Sequence, residues 1–383
     1  MEKAKQLLKK NTMLVALAVV ALFFAWRTGG TIFEPQNITN LIAQNGYVVI
    51  LAVGMLLCIL TGGNIDLSVG SVVALVGAIA GKLIVTNKIN MWLAIIICLI
   101  VGALIGVWQG FWIAYIRIPA FIVTLAGMLI WRGAALIILD GLTISPFPDN
   151  FKMLFNSYIA DPFQGDFNIL CMLVAVIACV VYAMLVFRGR MKKIGKGYTA
   201  EKISITLSKV IVTCVVVLVV AYRLALFQGI PTILILLAII VGIYTYYTSK
   251  TVNGRYLYAV GGNEKAAKLS GVNTDRVLFG AYVNMSFLSA VVALVSVARF
   301  NSSAPTAGTN YELDAIGSCF IGGASAYGGT GTVGGAIIGA IFMGVLNNGM
   351  SIMGVDANWQ KAVKGIVLLA AVAFDILSKK KSK

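Results

Sequence analysis

The chain has 383 residues, of which 60% are hydrophobic and only 11% are charged, whereas an ordinary soluble domain carries about 25% charged residues. A helix needs roughly 20 apolar residues to cross a bilayer, so a dozen crossings would use about 240 residues. The composition therefore excludes an ordinary soluble fold and predicts an all-α polytopic membrane protein. The net charge of +16 comes from basic residues that gather in particular loops, so it reflects membrane topology and not a nucleic-acid partner.

The first predicted element is an uncleaved span over residues 13–26, because no small-residue cleavage site follows this apolar run. Positive charges stay in the cytoplasm, so the lysines that precede the span predict a cytoplasmic amino terminus. These lysines are Lys3, Lys5, Lys9 and Lys10. Four further spans are expected next, over residues 47–60, 67–85, 91–115 and 119–139.

Two loops of opposite charge orient the middle of the chain. Segment 140–166 holds four aspartates and a single lysine, so it is predicted to lie outside. A span over 167–187 then leads to the strongest cytoplasmic signal, where only Glu201 opposes seven basic residues: Arg188, Arg190, Lys192, Lys193, Lys196, Lys202 and Lys209. Spans over 210–227 and 231–247 return the chain to a second basic loop, at about 248–277, which is also predicted to be cytoplasmic.

The carboxyl-terminal third predicts four more crossings. A span over 279–297 leads outside to a polar stretch, and three apolar segments follow, over residues 313–323, 333–350 and 362–377. All three must cross, because a lysine-rich tail keeps the carboxyl terminus in the cytoplasm: Lys379, Lys380, Lys381 and Lys383. The total is twelve crossings, so residues 1–383 are predicted to form a single transmembrane domain with no separate nucleotide-binding or catalytic domain.

Segment 313–323 is too short to cross by itself, since about eleven helical residues rise only about 16 Å. The glycine-rich stretch 322–331 must then complete the crossing as irregular backbone that is shielded inside the protein. This stretch lacks the Lys-Ser/Thr ending of a phosphate-binding loop, so close packing and a broken helix are the favoured interpretation.

A second break is predicted at residues 61–66, where two glycines and Asp66 precede an apolar run. Asp66 is expected to cap the helix that follows, and Glu312 and Asp314 occupy a similar place before residues 316–318. The two helices are expected to start from opposite sides of the membrane. Half-helices of opposite orientation are typical of transporters with inverted repeats, although the shared pattern is short and capping alone also explains both carboxylates.

The loop at 248–277 contains a predicted short helix. Asn263 can cap it, Glu264 favours its first turn and Gly271 can end it. A helix of about two turns is marginal in water, so it must pack against something. Two adjacent alanines would let another protein approach closely, with Leu269 as an apolar anchor, but a connector that rests on its own bundle fits the local sequence equally well.

Little else in the chain suggests chemistry. Histidine is absent, and the six cysteines stand singly in apolar runs, at Cys58, Cys98, Cys171, Cys179, Cys214 and Cys319. No zinc site, Ser-His triad, histidine proton relay or disulfide framework is therefore predicted, and each cysteine is interpreted as a small core residue. An intramembrane enzyme is disfavoured for the same reason.

Four motifs in order carry a family resemblance: residues 62–71, 118–125, 262–271 and 311–335, with 344–350 and Asp375 in agreement. Together they resemble the membrane permeases of bacterial monosaccharide ATP-binding-cassette (ABC) importers, of the ribose, galactose and xylose type. Shorter ribose-type members lack a counterpart to the extra hairpin at about 167–227. The sequence is therefore most similar to the xylose and multiple-monosaccharide branch.

The resemblance implies a homodimeric permease in the bacterial inner membrane, with a fold like that of the many-helix importers of the vitamin B12 kind. It implies an ABC ATPase partner, usually with both nucleotide-binding domains in one polypeptide, and an extracytoplasmic sugar-binding protein. ATP would be bound by that ATPase, so no cofactor is expected in this chain. The resemblance also favours docking of the ATPase on the short cytoplasmic helix, at Asn263, Glu264, Ala266, Ala267, Leu269, Ser270 and Gly271.

The leading interpretation is import of a pentose or hexose along a path that binds the sugar weakly, through hydrogen-bonding and aromatic side chains. The candidate path residues are Gln44, Asn45, Asn64, Asp66, Ser68, Phe121, Thr124, Glu312 and Asp314. Packing is the competing interpretation of any single aromatic residue here. An ion-coupled secondary transporter or channel is the alternative function, but it would keep ionisable residues deep in its spans, whereas Lys82, Arg132 and Asp140 lie near span ends.

Overall fold

The computed structural model describes residues 12–163, 165–198 and 202–380. Within these ranges the chain forms fifteen α-helices and no strand, with only two isolated β-bridges. The predicted all-α membrane protein is therefore confirmed. The amino-terminal lysines, Glu201 and the last two tail lysines, Lys381 and Lys383, lie outside the described residues.

The helices of the first half are α1 (Thr12–Arg27), α2 (Pro35–Leu60), α3 (Val69–Gly81), α4 (Met91–Gly110), α5 (Ala120–Leu139), α6 (Asp149–Phe155) and α7 (Ile169–Gly195). Those of the second half are α8 (Ile203–Ala225), α9 (Thr232–Lys250), α10 (Val252–Gly262), α11 (Glu264–Leu269), α12 (Thr274–Phe300), α13 (Tyr311–Ile321), α14 (Val333–Ile352) and α15 (Ala357–Lys380). Helices α3 and α4 each continue as a π-helical turn, Lys82–Thr86 and Phe111–Tyr115.

Nine helices of the described chain are long and apolar enough to cross a membrane: α2, α3 with its π-helical turn, α4 with its π-helical turn, α5, α7, α8, α9, α12 and α14. The three other predicted crossings correspond to α1, to the short α13 and to the more polar α15. Helix α13 has the eleven residues expected of the broken span. Helices α6, α10 and α11 are too short to cross and lie between the spans.

The second span begins twelve residues before its predicted start, at Pro35 instead of residue 47. Pro35 occupies the first turn, where a missing N–H costs nothing. The polar residues that follow are carried inside the protein because they find partners. Asn37 and Asn348 exchange two hydrogen bonds through their side-chain amides, at 2.9 and 3.0 Å. Hydropathy alone misses this start because it does not detect such pairing.

The core lies where α2 and α12 cross α3, α4 and α14, and most of α2 and α12 is buried. Small residues allow these helices to approach closely. A Cβ atom at Gly106 of α4 would lie 2.6 Å from the Cα atom of Val283 on α12, so the two backbones are nearly in contact. Such packing is typical of membrane helices, in which the hydrophobic effect contributes little to association.

The extra hairpin, formed by α7 and α8, is peripheral. Its helices pack mainly against each other and, through α8, against α2. Only 11% of the most apolar stretch of each helix is buried. The thiols of Cys179 and Cys214 face one another across the hairpin, each about 3.8 to 3.9 Å from the other residue's carbonyl oxygen. The hairpin therefore lies beside the core, with most of its apolar surface exposed.

Contacts between loops define two ends of the bundle. At the α11 end, Leu60 and segment 322–332 contact α10, and segment 61–64 contacts segment 322–332. At the opposite end, Ile144 and Ser303 exchange backbone hydrogen bonds of 2.9 Å, and the Asn301 side chain accepts a hydrogen bond from the Phe147 N–H. Loops with the same predicted sidedness therefore meet at the same end, as twelve crossings require.

Candidate functional site

The two broken segments bring the starts of α3 and α13 together inside the bundle. A Cβ atom at Gly70 would lie 2.1 Å from the carbonyl oxygen of Gly308 and 2.6 Å from Oε2 of Glu312. Gly308 has a φ of +69°, a conformation that favours glycine. Helix α3 runs from this point to the opposite end, whereas α13 runs to the α11 end. The predicted opposite orientation is confirmed. The chain reaches the start of α3 from the α11 end and the start of α13 from the opposite end, and the two helix starts meet inside the bundle.

Asp66 lies in a buried hydrogen-bond network and does not cap α3. The N-cap residue is Ser68, and Oδ1 of Asp66 accepts hydrogen bonds from its N–H at 2.8 Å and its hydroxyl at 2.7 Å. The Gln109 side-chain amide is oriented so that both its nitrogen and its oxygen form hydrogen bonds. Nε2 of Gln109 donates to Oδ2 of Asp66, and Oε1 of Gln109 accepts from Nε1 of Trp131, each at 3.2 Å. Asp66 therefore ties the second break to α4 and α5.

The predicted capping role of Glu312 and Asp314 is also wrong. Both lie within the first turn of α13, whose N-cap residue is Asn310 and has no side-chain capping bond. Their charges still favour the positive end of the helix dipole. Glu312 is half-buried and interacts electrostatically with Arg132 of α5. Nη1 of Arg132 also donates to two carbonyl oxygens of the segment before α13, those of Pro305 at 3.0 Å and Ala307 at 2.6 Å.

Asp314 forms a buried ion pair with Lys364 of α15, with Nζ 2.9 Å from Oδ1 and 3.2 Å from Oδ2. The hydroxyl of Tyr47 on α2 donates to Oδ2 of Asp314 at 2.7 Å. The ring of Tyr47 stacks on Tyr311, with ring centroids 3.8 Å apart. Ionisable residues therefore lie deeper than the sequence predicts. Lys364, which lies inside the last predicted span, was the sequence feature that could have indicated a buried ion pair here.

The remaining predicted path residues are dispersed. Asn45 is buried and donates to the Ala340 carbonyl oxygen at 2.8 Å, which joins α2 to α14. Thr124 is buried and donates to a carbonyl oxygen of its own helix, whereas Phe121 is exposed on the outer face of α5. Asn64 donates to Thr61, three residues before it. Gln44 is half-buried beside a cavity of about 20 Å³. The nine residues therefore do not form one compact pocket.

Helix α11 forms largely as the sequence predicts. Oδ1 of Asn263 accepts a hydrogen bond from the Ala266 N–H at 3.0 Å, and Gly271 follows the helix with a φ of +83°. Leu269 is 90% exposed, so it is available as an apolar anchor. The expectation for Ala267 is wrong, because this alanine is buried and faces its own chain. Within α11, Leu269 and Ala266 are therefore the exposed apolar side chains.

Arg117, between α4 and α5, holds the α11 segment in place. Nη1 lies 2.7 Å from Oε1 of Glu264, and Nη2 donates to Asp275 in the first turn of α12. Partial burial lowers the pKa of Arg117, but hydrogen bonds and charges from Glu264 and Asp275 together raise it above its ordinary value. The guanidinium therefore stays charged, and it links α11, α12 and the loop before α5. Sequence reasoning missed this residue, because its partners are far away along the chain.

Helix α10 contacts both breaks at once. A Cβ atom at Gly261 would lie 1.8 Å from the carbonyl oxygen of Leu60 and 2.5 Å from the backbone nitrogen of Gly329. The Gly329 N–H also donates to that same Leu60 oxygen at 3.1 Å. In turn, a Cβ atom at Gly63 would lie 2.0 Å from the carbonyl oxygen of Ala326. The helix that leads into α11 is thus packed directly on the two irregular segments.

Comparison with known proteins places this arrangement among permeases. The family model described as the permease component of branched-chain amino acid transport systems matches residues 37–372. The chain is similar to the xylose transport system permease protein XylH of Escherichia coli strain K12, with 37% identity over 370 residues, 97% of this chain and 92% of that protein. XylH of Haemophilus influenzae is 37% identical over 369 residues, which cover 96% of each protein.

A ribose permease is similar over the same length. The ribose import permease protein RbsC of Escherichia coli strain K12 is 33% identical over 370 residues, which cover 96% of this chain and 94% of that protein. No solved structure matches the chain significantly.

Proposed function

This chain belongs to the family described as the permease component of branched-chain amino acid transport systems. Within that family, we propose that it is the permease subunit of an ABC importer for a monosaccharide. Full-length similarity to xylose permeases, and then to ribose permeases, supports xylose or a related pentose or hexose as the substrate. Its apolar helices make it a multi-pass inner membrane protein. As a transport subunit it is not itself an enzyme.

The energy for import comes from a partner in this proposal. An ABC ATPase binds and hydrolyses ATP, and a substrate-binding protein delivers the sugar from outside. The ATPase would carry two nucleotide-binding domains in one chain, and a second copy of the permease would complete the path. This chain would hold no nucleotide and no other cofactor.

The α11 end is assigned to the cytoplasm, together with both termini. The positive-inside rule supports this orientation, because the loop that contains α11 and the carboxyl-terminal tail are basic. The ATPase would dock there on α11, with Leu269 inserted into its surface. Asn263, Glu264, Ser270 and Gly271 would shape and end the docking helix, and would not themselves carry the contact.

The observation that carries the coupling mechanism is the packing of α10 on both broken segments. Close-packed elements transmit displacement, because interiors are nearly incompressible. Movement of α11 by the ATPase would therefore pass through Gly261 to Leu60 and Gly329, and from there to the starts of α3 and α13. We assign the sugar path to the region beside those helix starts. Among the predicted path residues, Glu312 and Asn64 keep partial exposure near those helix starts, and Gln44 does so on α2.

An ion-coupled carrier is the competing function, and the buried Asp314–Lys364 pair is the observation that favours it. The pair is mutually compensated and also bound by Tyr47, so a structural role explains it fully. Reconstitution in proteoliposomes separates the two functions. We expect xylose uptake that requires the ATPase, ATP and the binding protein; uptake by this chain alone, driven by a proton or sodium gradient, would overturn the proposal.

A further inference from the structure

A cavity of about 660 Å³ at the α11 end has no part in the mechanism described above. It lies between α9, α10 and α12, and Leu57 of α2 is among the residues that line it. The connection from α11 to α12 contributes Gly271 and Asn273 to its wall. Cavities of roughly 300–1,000 Å³ with a few convergent polar groups are typical of small-molecule sites.

One face of α12 forms a polar track along the cavity. Arg276, Gly280 and Asn284 are spaced four residues apart, so they lie one above the other on the same helix face. Eight helical residues separate the first from the last, a rise of about 12 Å. A Cβ atom at Gly280 would have nothing within 4 Å, so the space between the guanidinium and the amide is open.

The deep end of this track holds a hydrogen-bond donor without a partner. The Tyr244 hydroxyl on α9 donates to Oδ1 of Asn284, which occupies the amide oxygen. Nδ2 of Asn284 is buried and has no hydrogen-bond partner among the described residues. Buried amide groups in proteins are nearly always paired. Because Asn284 lines the cavity, a small turn of its side chain would present this donor to a hydroxyl oxygen of a bound ligand.

The mouth of the cavity holds a free positive charge. Arg276 is exposed, and in the described part of the chain no carboxylate pairs with its guanidinium. The neighbouring Asp275 is already engaged by Arg117. The residues that line the cavity include no Asp or Glu. A guanidinium in such a place favours phosphate, which it can bind through two parallel hydrogen bonds.

The walls between these two ends suit a polyol. Tyr244, Tyr247 and Tyr256 line the cavity together with the amide side chain of Asn253. Tyrosine offers both an aromatic face for the weakly apolar side of a sugar-like molecule and a hydroxyl for its polar groups. Neither an apolar ligand nor a bare anion would use both ends and these walls.

We propose that this cavity binds a phosphorylated polyol, with its phosphate on Arg276 and its hydroxyls toward Asn284. Two sources share this chemistry: a soluble sugar phosphate, or the glycerophosphate headgroup of an anionic lipid. Either ligand would touch Gly271 and Asn273, and would therefore restrain the connection between the docking helix and α12. The inference rests on the proposed function only for the cytoplasmic assignment of the α11 end.

Binding to the purified full-length permease in nanodiscs tests the inference. Glucose 6-phosphate and glycerol 3-phosphate are titrated by calorimetry into phosphatidylcholine nanodiscs, with glucose and inorganic phosphate as partial ligands. We expect at least one phosphorylated polyol to bind tenfold or more tightly than either partial ligand. For the lipid source, retention of phosphatidylglycerol through delipidation is measured by mass spectrometry. If a soluble phosphorylated polyol binds and phosphatidylglycerol is not retained, the ligand is a soluble sugar phosphate. If phosphatidylglycerol is retained and no soluble polyol phosphate binds, the ligand is the lipid headgroup.

Three variants link binding to the cavity. Arg276→Gln should weaken binding tenfold or more, and Gly280→Leu should abolish it by filling open space without a steric clash. Arg255→Gln, on α10 and outside the lining, is the matched control and should bind as the wild type does. Failure of every phosphorylated polyol and of phosphatidylglycerol to bind, or equal binding by Arg276→Gln, overturns the inference. Xylose transport is measured separately without these probes, so that outcome leaves the proposed function intact.

Discussion

Gly261 lies against the carbonyl oxygen of Leu60 so closely that a Cβ atom at position 261 would stand 1.8 Å from it. The same oxygen accepts the Gly329 N–H at 3.1 Å. One carbonyl group thus joins α10 to the end of α2 and to the irregular segment after α13. In the proposed mechanism this junction passes movement of α10 to both segments, because close-packed elements shift together.

Gly261→Ala should disrupt this junction, because the added methyl group meets backbone atoms that cannot rotate away. Overpacking of this kind typically costs about 1–3 kcal/mol. We expect lower thermal stability in detergent and a several-fold loss of ATP-driven uptake. Gly262→Ala is the matched control, since a Cβ atom there has nothing within 4 Å. Normal uptake by Gly261→Ala would show that the junction does not couple docking to transport.

Leu269→Arg should block ATPase docking without harming the fold, because this side chain is 90% exposed. Co-purification of the ATPase should fall strongly while thermal stability stays within about 0.5 kcal/mol of wild type. Leu142→Arg, an exposed leucine of the loop after α5, is the control and should retain the ATPase. Ala267→Arg is a poorer test, because Ala267 is buried and its replacement would damage the segment itself. Undiminished co-purification with Leu269→Arg would exclude α11 as the docking element.

Arg117→Gln should loosen α11 by removing its ion pairs with Glu264 and Asp275. The side chains are 36–46% exposed, so each pair contributes at most about 1 kcal/mol to stability. The expected effect is therefore on coupling: ATP hydrolysis should continue while sugar uptake per ATP falls two-fold or more. The charge-reversed pair Arg117→Glu with Glu264→Arg should recover part of the loss. Equal coupling in wild type and Arg117→Gln would contradict the role assigned to Arg117.

Asp66→Ala should cost about 1–3 kcal/mol, because it leaves the buried Ser68 N–H and Gln109 amide without an acceptor. Asp66→Asn keeps one acceptor oxygen for Ser68 and should cost less. Thermal unfolding of both variants in detergent measures the difference. If Asp66→Asn is as stable as the wild type but transports no sugar, the negative charge acts in transport and not only in the buried hydrogen-bond network.

Single cysteines can test the orientation of the bundle in a background without the six native cysteines. Asn150→Cys lies in the acidic segment and Lys196→Cys in the basic one, and both positions are exposed. An impermeant thiol reagent added to intact cells should label only Asn150→Cys, because the positive-inside rule assigns position 196 to the cytoplasm. Permeabilised cells provide the control for accessibility. Labelling of both positions in intact cells would refute the twelve-crossing topology.

Features that depend on short stretches of chain could be predicted from the amino-acid order. The long spans follow from apolar length, since a bilayer demands about 20 residues whatever the neighbouring helices do. The short α13 follows from an eleven-residue apolar segment before glycines, and α11 follows from the Asn263 cap. The family resemblance likewise rests on short motifs, of 8 to 25 residues each.

The tertiary structure alone decided which side chains meet. Besides its neighbour Ser68, Asp66 bonds to Gln109, 43 positions away. Asp314 pairs with Lys364 on the last helix and with Tyr47 on α2. Ala267 faces inward and Leu269 outward because α11 rests on its own bundle in one rotation. Apolar composition determines that a helix crosses, but it does not determine the rotation of the helix or its neighbours. These depend on close packing between segments distant in the chain, where single glycines such as Gly261 and Gly70 set how near two backbones can come.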